Sequence, residues 1–156
     1  MADRNYYMKV CTLIVKDERV LLLKEKRYHG ENYGWNLPKG TFEASDLTLE
    51  KAAIRECLEE AGWQIDVKKL LTIYTTEKEN NSFKFQYCFL AEPVKEQELS
   101  LQEDEDIIAK KWFSKSEILT LREEDFLSSL IYDLLWRWAN ETGTDLFIYK
   151  DEKNYC

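Results

Sequence analysis

The stretch AAIRECLEEAGW, Ala52 to Trp63, sets Glu56, Glu59 and Glu60 within little more than one helical turn, with only Arg55 beside them positive. Like charges three and four residues apart on a helix cost about 0.2–0.5 kcal/mol per pair, so the run is either fully solvated or neutralised by something it binds. The segment around it, SDLTLEKAAIRECLEEAG, is the strongest helix in the chain. Ser45 or Asp46 is expected to cap it, and Gly62 to end it in the left-handed conformation. On a helical wheel the three glutamates fall within about 100° of one face. Leu47, Ile54, Leu58 and Ala61 fall opposite and are expected to bury against a sheet. Ala52 and Ala53 flank the acidic face one turn earlier, where a methyl leaves room for a neighbouring backbone or a ligand. Three carboxylates on one face supply the hard oxygen donors that Mg²⁺ or Mn²⁺ takes. Such an ion can activate a water and stabilise charge on a phosphoryl group.

Composition narrows the classes that remain. The 156 residues suit one domain, 1–156, with its own core. Forty-four per cent are apolar, with five Trp, nine Tyr and seven Phe, too many for a disordered chain. No apolar run has the length of a membrane span, and MADRNYYMKV holds no apolar segment ahead of its first charges. Cys11, Cys57, Cys88 and Cys156 lie apart, none at metal-knuckle spacing, and the first three sit in apolar or helical contexts that suit buried free thiols. A cytoplasmic location is expected. The net charge of −8 and the lack of a basic stripe argue against a duplex nucleic-acid partner. An anionic substrate would need a bound cation to reverse the local field.

Along the chain, Tyr6 to Val15 is expected to be a strand, with Arg19 to Lys26 as its hairpin partner across KDER. Tyr28 to Lys39 is expected to be irregular, broken by Gly30, Gly34 and Pro38. After the glutamate helix come strands at Val67 to Thr76 and Phe83 to Glu92, turned at EKENN, and a short one around Lys110 to Phe113. Residues 92–106 hold seven acidic side chains and one lysine, and are expected to be a solvated loop. Ser114 or Ser116 opens a helical turn at SEIL, Glu123 to Glu141 is expected to be one amphipathic helix stopped by Gly143, and the tail LFIYK adds an edge strand. The order predicts an α/β (α+β) fold, a mixed sheet sandwiched between helices.

Upstream, YGWNLPKGTFEASD ends its turn at Pro38-Lys39-Gly40, placed to bring the Gly40 carbonyl and the Lys39 ammonium to the acidic face. The whole string GTFEASDLTLEKAAIRECLEEAGW, Gly40 to Trp63, resembles the signature of the Nudix hydrolases: Gly, five residues, Glu, seven residues, Arg-Glu, an aliphatic, any residue, Glu-Glu, any residue, Gly and an aliphatic. Gly40, Arg55, Glu56, Glu59, Glu60 and Gly62 answer to it, and the resemblance covers Tyr6 to about Trp138. It implies a mixed sheet between helices and water attack on a diphosphate or polyphosphate bond with Mg²⁺ or Mn²⁺. It also implies Glu56, Glu59 and Glu60 as metal ligands with the Gly40 carbonyl, Glu56 as a candidate base, and Arg55 holding a glutamate by a charge-assisted hydrogen bond. Three departures stand out. Gly40 to Arg55 is one residue too long, Ala44-Ser45 replaces the usual Pro-Gly, and Trp63 replaces a small aliphatic. The first glutamate of the signature is answered by Asp46 counting from Gly40 but by Leu47 counting back from Arg55.

Pro-Lys-Gly resembles the members that act on dinucleoside polyphosphates. The expected substrate is therefore a dinucleoside polyphosphate or a nucleoside triphosphate, its phosphates between Lys39 and the metal-bearing face. Alternatives are a nucleotide sugar, ADP-ribose or a diphosphoinositol, or a non-catalytic module that binds a nucleotide. Trp35 and Tyr87 are the chosen base-stacking candidates among Tyr28, Tyr33, Tyr74 and Phe85. Trp112 and Phe113 are assigned to packing. A distal carboxylate among Glu103, Asp104, Glu105 and Asp106 competes with Glu56 as general base, with Glu105 the choice.

Overall fold

The computed structural model describes residues 5–27, 32–78, 81–97, 106–140 and the backbone of 150–151. Tyr28, His29, Asn80, Glu103, Asp104, Glu105, Gly143 and most of LFIYK lie outside the described residues. The first two strands, β1 (Tyr6–Lys16) and β2 (Arg19–Lys26), form the expected hairpin. Asp17 and Glu18 take φ of 50° and 58°, the left-handed pair that matches the twist of a two-residue hairpin.

The segment expected to be irregular instead holds two short strands, β3 (Tyr33–Asn36) on β2 and β4 (Lys39–Thr41) on β1. Cross-strand partners supply the backbone hydrogen bonds that Gly34 and Pro38 do not forbid. Two long strands follow, β5 (Trp63–Lys78) and β6 (Ser82–Glu96), antiparallel to one another. Glu92 to Glu96 therefore belong to a ladder with Trp63 to Asp66, and the acidic loop expected from residue 92 begins later. The strand β7 (Ile107–Ser114) pairs with β2. The short β8 (Lys150–Asp151) adds to the β5 edge.

The sheet runs β3-β2-β1-β6-β5-β8, with β4 on β1 and β7 on β2. Its pairings are mixed, β1 with β6 being parallel over nine residue pairs from Tyr6↔Phe83 to Ile14↔Ala91. One face is covered by α1 (Leu49–Glu56), whose last turn, Cys57–Ala61, is a π-turn. The other is covered by α2 (Lys115–Thr120) and α3 (Ser129–Asn140). The largest core cluster lies on this second face, where Leu130, Ile131, Leu134 and Leu135 of α3 meet Cys11, Leu13, Tyr74 and Cys88.

Ser114 caps α2 through a reciprocal capping box with Glu117, as the sequence suggested. The expected single helix from Glu123 is divided. Glu123–Asp125 is a 3-10 turn, after which Phe126 pairs as an isolated bridge with Trp35 before α3 begins. Phe126 is 2% exposed, and burying it demands the break. None of the described helices is long and apolar enough to cross a membrane.

Candidate active site

Gly62 ends the glutamate helix at φ 73°, as expected. The start differs. Ala44–Asp46 forms a separate 3-10 turn, and Thr48 caps α1 by accepting the Lys51 backbone N–H at 3.1 Å. Leu47 lies between them at φ 68°, 73% exposed. Leu47 is thus the extra residue of the loop, turned outward. The register counted from Gly40 is the one the chain keeps, and Asp46 is the residue in contact with Arg55.

That contact organises the site. The Arg55 Nε donates to Asp46 Oδ1 at 2.7 Å and Nη2 to Asp46 Oδ2 at 3.0 Å, a bidentate pair. Nη2 also donates to the Thr41 carbonyl at 3.1 Å. Nη1 donates to Glu56 Oε1 at 2.7 Å and to Glu59 Oε2 at 3.2 Å. A guanidinium has five N–H donors, and each finds an acceptor here. Asp46 is 5% exposed and also accepts the Glu43 backbone N–H at 2.8 Å. The Arg55 hydrogen bonds first, and that backbone donor second, hold its carboxyl below the usual range. Arg55, proposed as catalytic from the sequence, positions Glu56 and Glu59 in this arrangement.

The helix buries Ala61 as expected, but otherwise a different face. Ala52, Ala53 and Cys57 are buried, whereas Ile54 is 39% exposed and Leu58 only half-buried. Small residues let α1 lie close to the sheet, against Val10 and Phe89. Glu56 is caught in that narrow space and is 8% exposed. Burial pushes its carboxyl up, Arg55 pulls it down, and Glu59 and Glu43 add to the rise. Gly40 touches it directly: a Cβ at residue 40 would overlap the Glu56 carboxylate. Gly40 therefore leaves the space that the Glu56 carboxylate fills. Glu60 Oε2 accepts the Lys39 backbone N–H at 3.3 Å, and Glu59 stands exposed beyond Arg55.

Alternation along β4 separates the neighbours of this turn. Gly40 pairs with Val10 and faces α1, so Lys39, paired with Cys11, sends its side chain to the opposite face. Only the Lys39 main chain meets the glutamates. Trp35, expected to stack on a base, packs edge-on to Phe113 with ring centroids 4.8 Å apart, under the Lys24 ammonium at 5.5 Å. Tyr87 is half-buried beside Val10 and Ala53 on the α1 face. Trp112 packs edge-on to Trp63, as assigned. Asp106 is the one described carboxylate of the distal quartet, at the start of β7. Sequence reading did not find Lys110, whose ammonium bonds the Ala61 carbonyl at 3.0 Å and Glu96 at 2.9 Å, fastening the end of the π-turn.

A hard divalent ion fits the chemistry of the donor set, Glu56, Glu59, Glu60 and the Gly40 carbonyl. Among the described residues no three carboxylate, imidazole or thiolate groups already converge on a point. Glu56 and Glu59 are each held by Arg55, and Glu60 by the Lys39 amide.

A family model for the NUDIX domain matches residues 6–134. The chain belongs to the Nudix family. A Nudix relative, "Putative nudix hydrolase 1" of Caenorhabditis elegans, is 31% identical over 117 residues, 71% of this chain, which spans 30% of that protein's length. A solved Nudix hydrolase from Nitrosomonas europaea superposes with a TM-score of 0.70 at 25% identity, covering 83% of this chain and 85% of that one. The fold is also that of a UDP-X diphosphatase, with a TM-score of 0.66, 22% identity, and 96% and 70% of the two chains covered.

Proposed function

We propose that this Nudix chain is a pyrophosphohydrolase that cleaves a diphosphate or polyphosphate bond of a nucleoside diphosphate derivative with water and Mg²⁺ or Mn²⁺. The observation that carries the reading is the Arg55 guanidinium, which binds Asp46 on one side and holds Glu56 and Glu59 on the other, beside Gly40. When bound, a divalent ion would supply positive charge to phosphate oxygens and lower the pKa of a water. Glu56, Glu59, Glu60 and the Gly40 carbonyl would hold it.

The chain's own groups then have separate tasks. Glu56, buried beside Gly40 and hydrogen-bonded to Arg55, is proposed as the base that takes a proton from water. Glu105 remains the alternative base by the family resemblance. Arg55 fixes the two glutamates, and the buried Asp46 keeps Arg55 from swinging toward the anionic substrate. Lys39 is proposed to contact phosphates from the far side of β4. A dinucleoside polyphosphate or nucleoside triphosphate is the proposed substrate. The free thiols of Cys11, Cys57 and Cys88 support a reducing, cytoplasmic setting.

Glu59→Gln tests the assignment. Its side chain is 58% exposed, so the fold should stand while metal-dependent release of a nucleoside monophosphate is lost. Wild-type turnover in a folded variant would overturn the reading.

A further inference from the structure

Three lysines share a face of the sheet that the acidic helix does not touch. Register places them. Across the first row lie Tyr7, Lys84 and Thr76; across the second Thr41, Lys9, Gln86 and Tyr74; across the third Lys39, Cys11, Cys88 and Thr72. Directly paired residues point to the same side of a sheet. Contact confirms it: the Cys11 and Cys88 thiols are 2.8 Å apart and both pack toward α3. Lys9 therefore stands diagonally between Lys39 and Lys84, and all three are half-buried.

Such a cluster needs an explanation in a chain of 30 acidic and 22 basic residues. Like charges at cross-strand positions repel, and partial burial makes each ammonium more costly. Burial first, then Lys39 and Lys84, hold the Lys9 ammonium below its usual range, with Glu56 and Glu60 opposing from the other face. Neither Lys9 nor Lys39 makes an ion pair among the described residues. On the same face the hydroxyls of Thr72 and Thr76, 0% and 4% exposed, have no hydrogen-bond partner. Thr41 and Tyr7 are exposed, so the cluster opens to solvent at its β4 corner.

Only the width of β4, three residues long and paired on one side to β1, separates this basic face from the Glu56 side. Gly40 faces one way and Lys39 the other. We propose that Lys9, Lys39 and Lys84 form an anion subsite that receives a phosphate group of the substrate remote from the bond that is cut, the chain of phosphates passing round the β4 edge. The inference rests on the hydrolase reading for the word substrate, and it narrows the class to molecules carrying phosphates well beyond the scissile diphosphate. Two sources present that chemistry: a long phosphate chain between two nucleosides, or phosphates arrayed on a cyclitol ring.

The first test needs no catalysis. Inorganic tripolyphosphate is titrated into the full chain in EDTA and followed by calorimetry. Wild type is expected to bind with an affinity that falls as salt rises. Lys9→Met and Lys84→Met are each expected to weaken binding by about tenfold, and Lys84→Arg to retain it. No binding by wild type, or wild-type affinity in both Met variants, overturns the subsite. Should Lys9→Met prove unfolded by circular dichroism, Lys84→Met against Lys84→Arg decides alone. In the second test, Mn²⁺-dependent hydrolysis of a dinucleoside tetraphosphate and of a diphosphoinositol is measured in wild type and both Met variants. A raised KM with kcat held, for either substrate or both, identifies the source. An unchanged KM for both overturns the subsite. Failure of wild type to hydrolyse either compound refutes the proposed substrate class, while the tripolyphosphate titration still judges the lysines.

Discussion

Replacing Gly40 by alanine separates the space requirement of the site from the stability of the fold. The backbone at residue 40 is not left-handed, so alanine is conformationally tolerated, but its methyl would overlap the Glu56 carboxylate. That carboxylate is the far end of a flexible side chain and can rotate aside. Rotation breaks its 2.7 Å ion pair with Arg55, between groups 11% and 24% exposed in their side chains. A partly buried hydrogen bond to a charged group is worth about 1.5–3 kcal/mol, and relaxation in the variant recovers part of it. A net loss of about 1 kcal/mol lowers Tm by about 2–4 °C in a chain of this size. Activity should suffer more, because a catalytic group moved by about 1 Å can cost about a hundredfold. The expected result is therefore a folded Gly40→Ala protein, a few degrees less stable, with kcat/KM down about a hundredfold and weaker Mn²⁺ binding by calorimetry. A variant with wild-type kcat/KM and wild-type Mn²⁺ affinity would refute the claim that Gly40 makes room for a working Glu56.

Gly34→Ala is the matching control. Its Cβ would meet the Leu127 backbone N at 3.0 Å, far from the glutamates in the fold, so Tm should fall while Mn²⁺ affinity stays unchanged. Leu47→Gly should raise Tm by a few degrees, since a non-glycine residue at positive φ carries about 1–3 kcal/mol of strain. Millimolar Mg²⁺ should raise the wild-type Tm by mass action, and the shift should vanish in Glu56→Gln/Glu60→Gln. The Ser114 backbone N–H, then Lys111, hold the Glu117 carboxyl below its usual range. Folding therefore favours the charged form. The stability it adds is present above the unfolded carboxyl pKa and lost as pH falls through the lower folded value, so Glu117→Gln should flatten the acid limb of a Tm-against-pH curve.

Features carried by adjacent residues were legible in the sequence. The KDER hairpin, the Ser114 cap and the Gly62 terminus are local, and each stands where the residue types put it. The glutamate helix was legible as a helix but not in its orientation, because a wheel ranks Ile54 and Leu58 above alanines for burial. The close approach of α1 to the sheet reverses that order. Long-range pairing was out of reach: Cys11 and Cys88 meet across a parallel ladder that no local period announces. Without that ladder Lys9 and Lys84 are two lysines on separate strands, and the Lys39 ammonium was read onto the acidic face, opposite to where the register puts it. The packing of Trp35 was out of reach for the same reason, because Phe113, which meets its ring edge-on, and Phe126, which bridges to its backbone, come from much later in the chain.

Leu47 bears on how relatives of this chain are found. A pattern with fixed gaps between its glycine and its Arg-Glu pair rejects the chain, although Arg55 still binds Asp46, Glu56 and Glu59. Leu47 projects away from the Asp46–Arg55 pair, at a point between the 3-10 turn and the Thr48 cap where the backbone leaves one element and has not entered the next. One more residue there displaces neither. A search that permits a single-residue gap at that position, and accepts aspartate for the first glutamate, would gather chains that keep the arginine-centred carboxylate network but whose spelling has drifted.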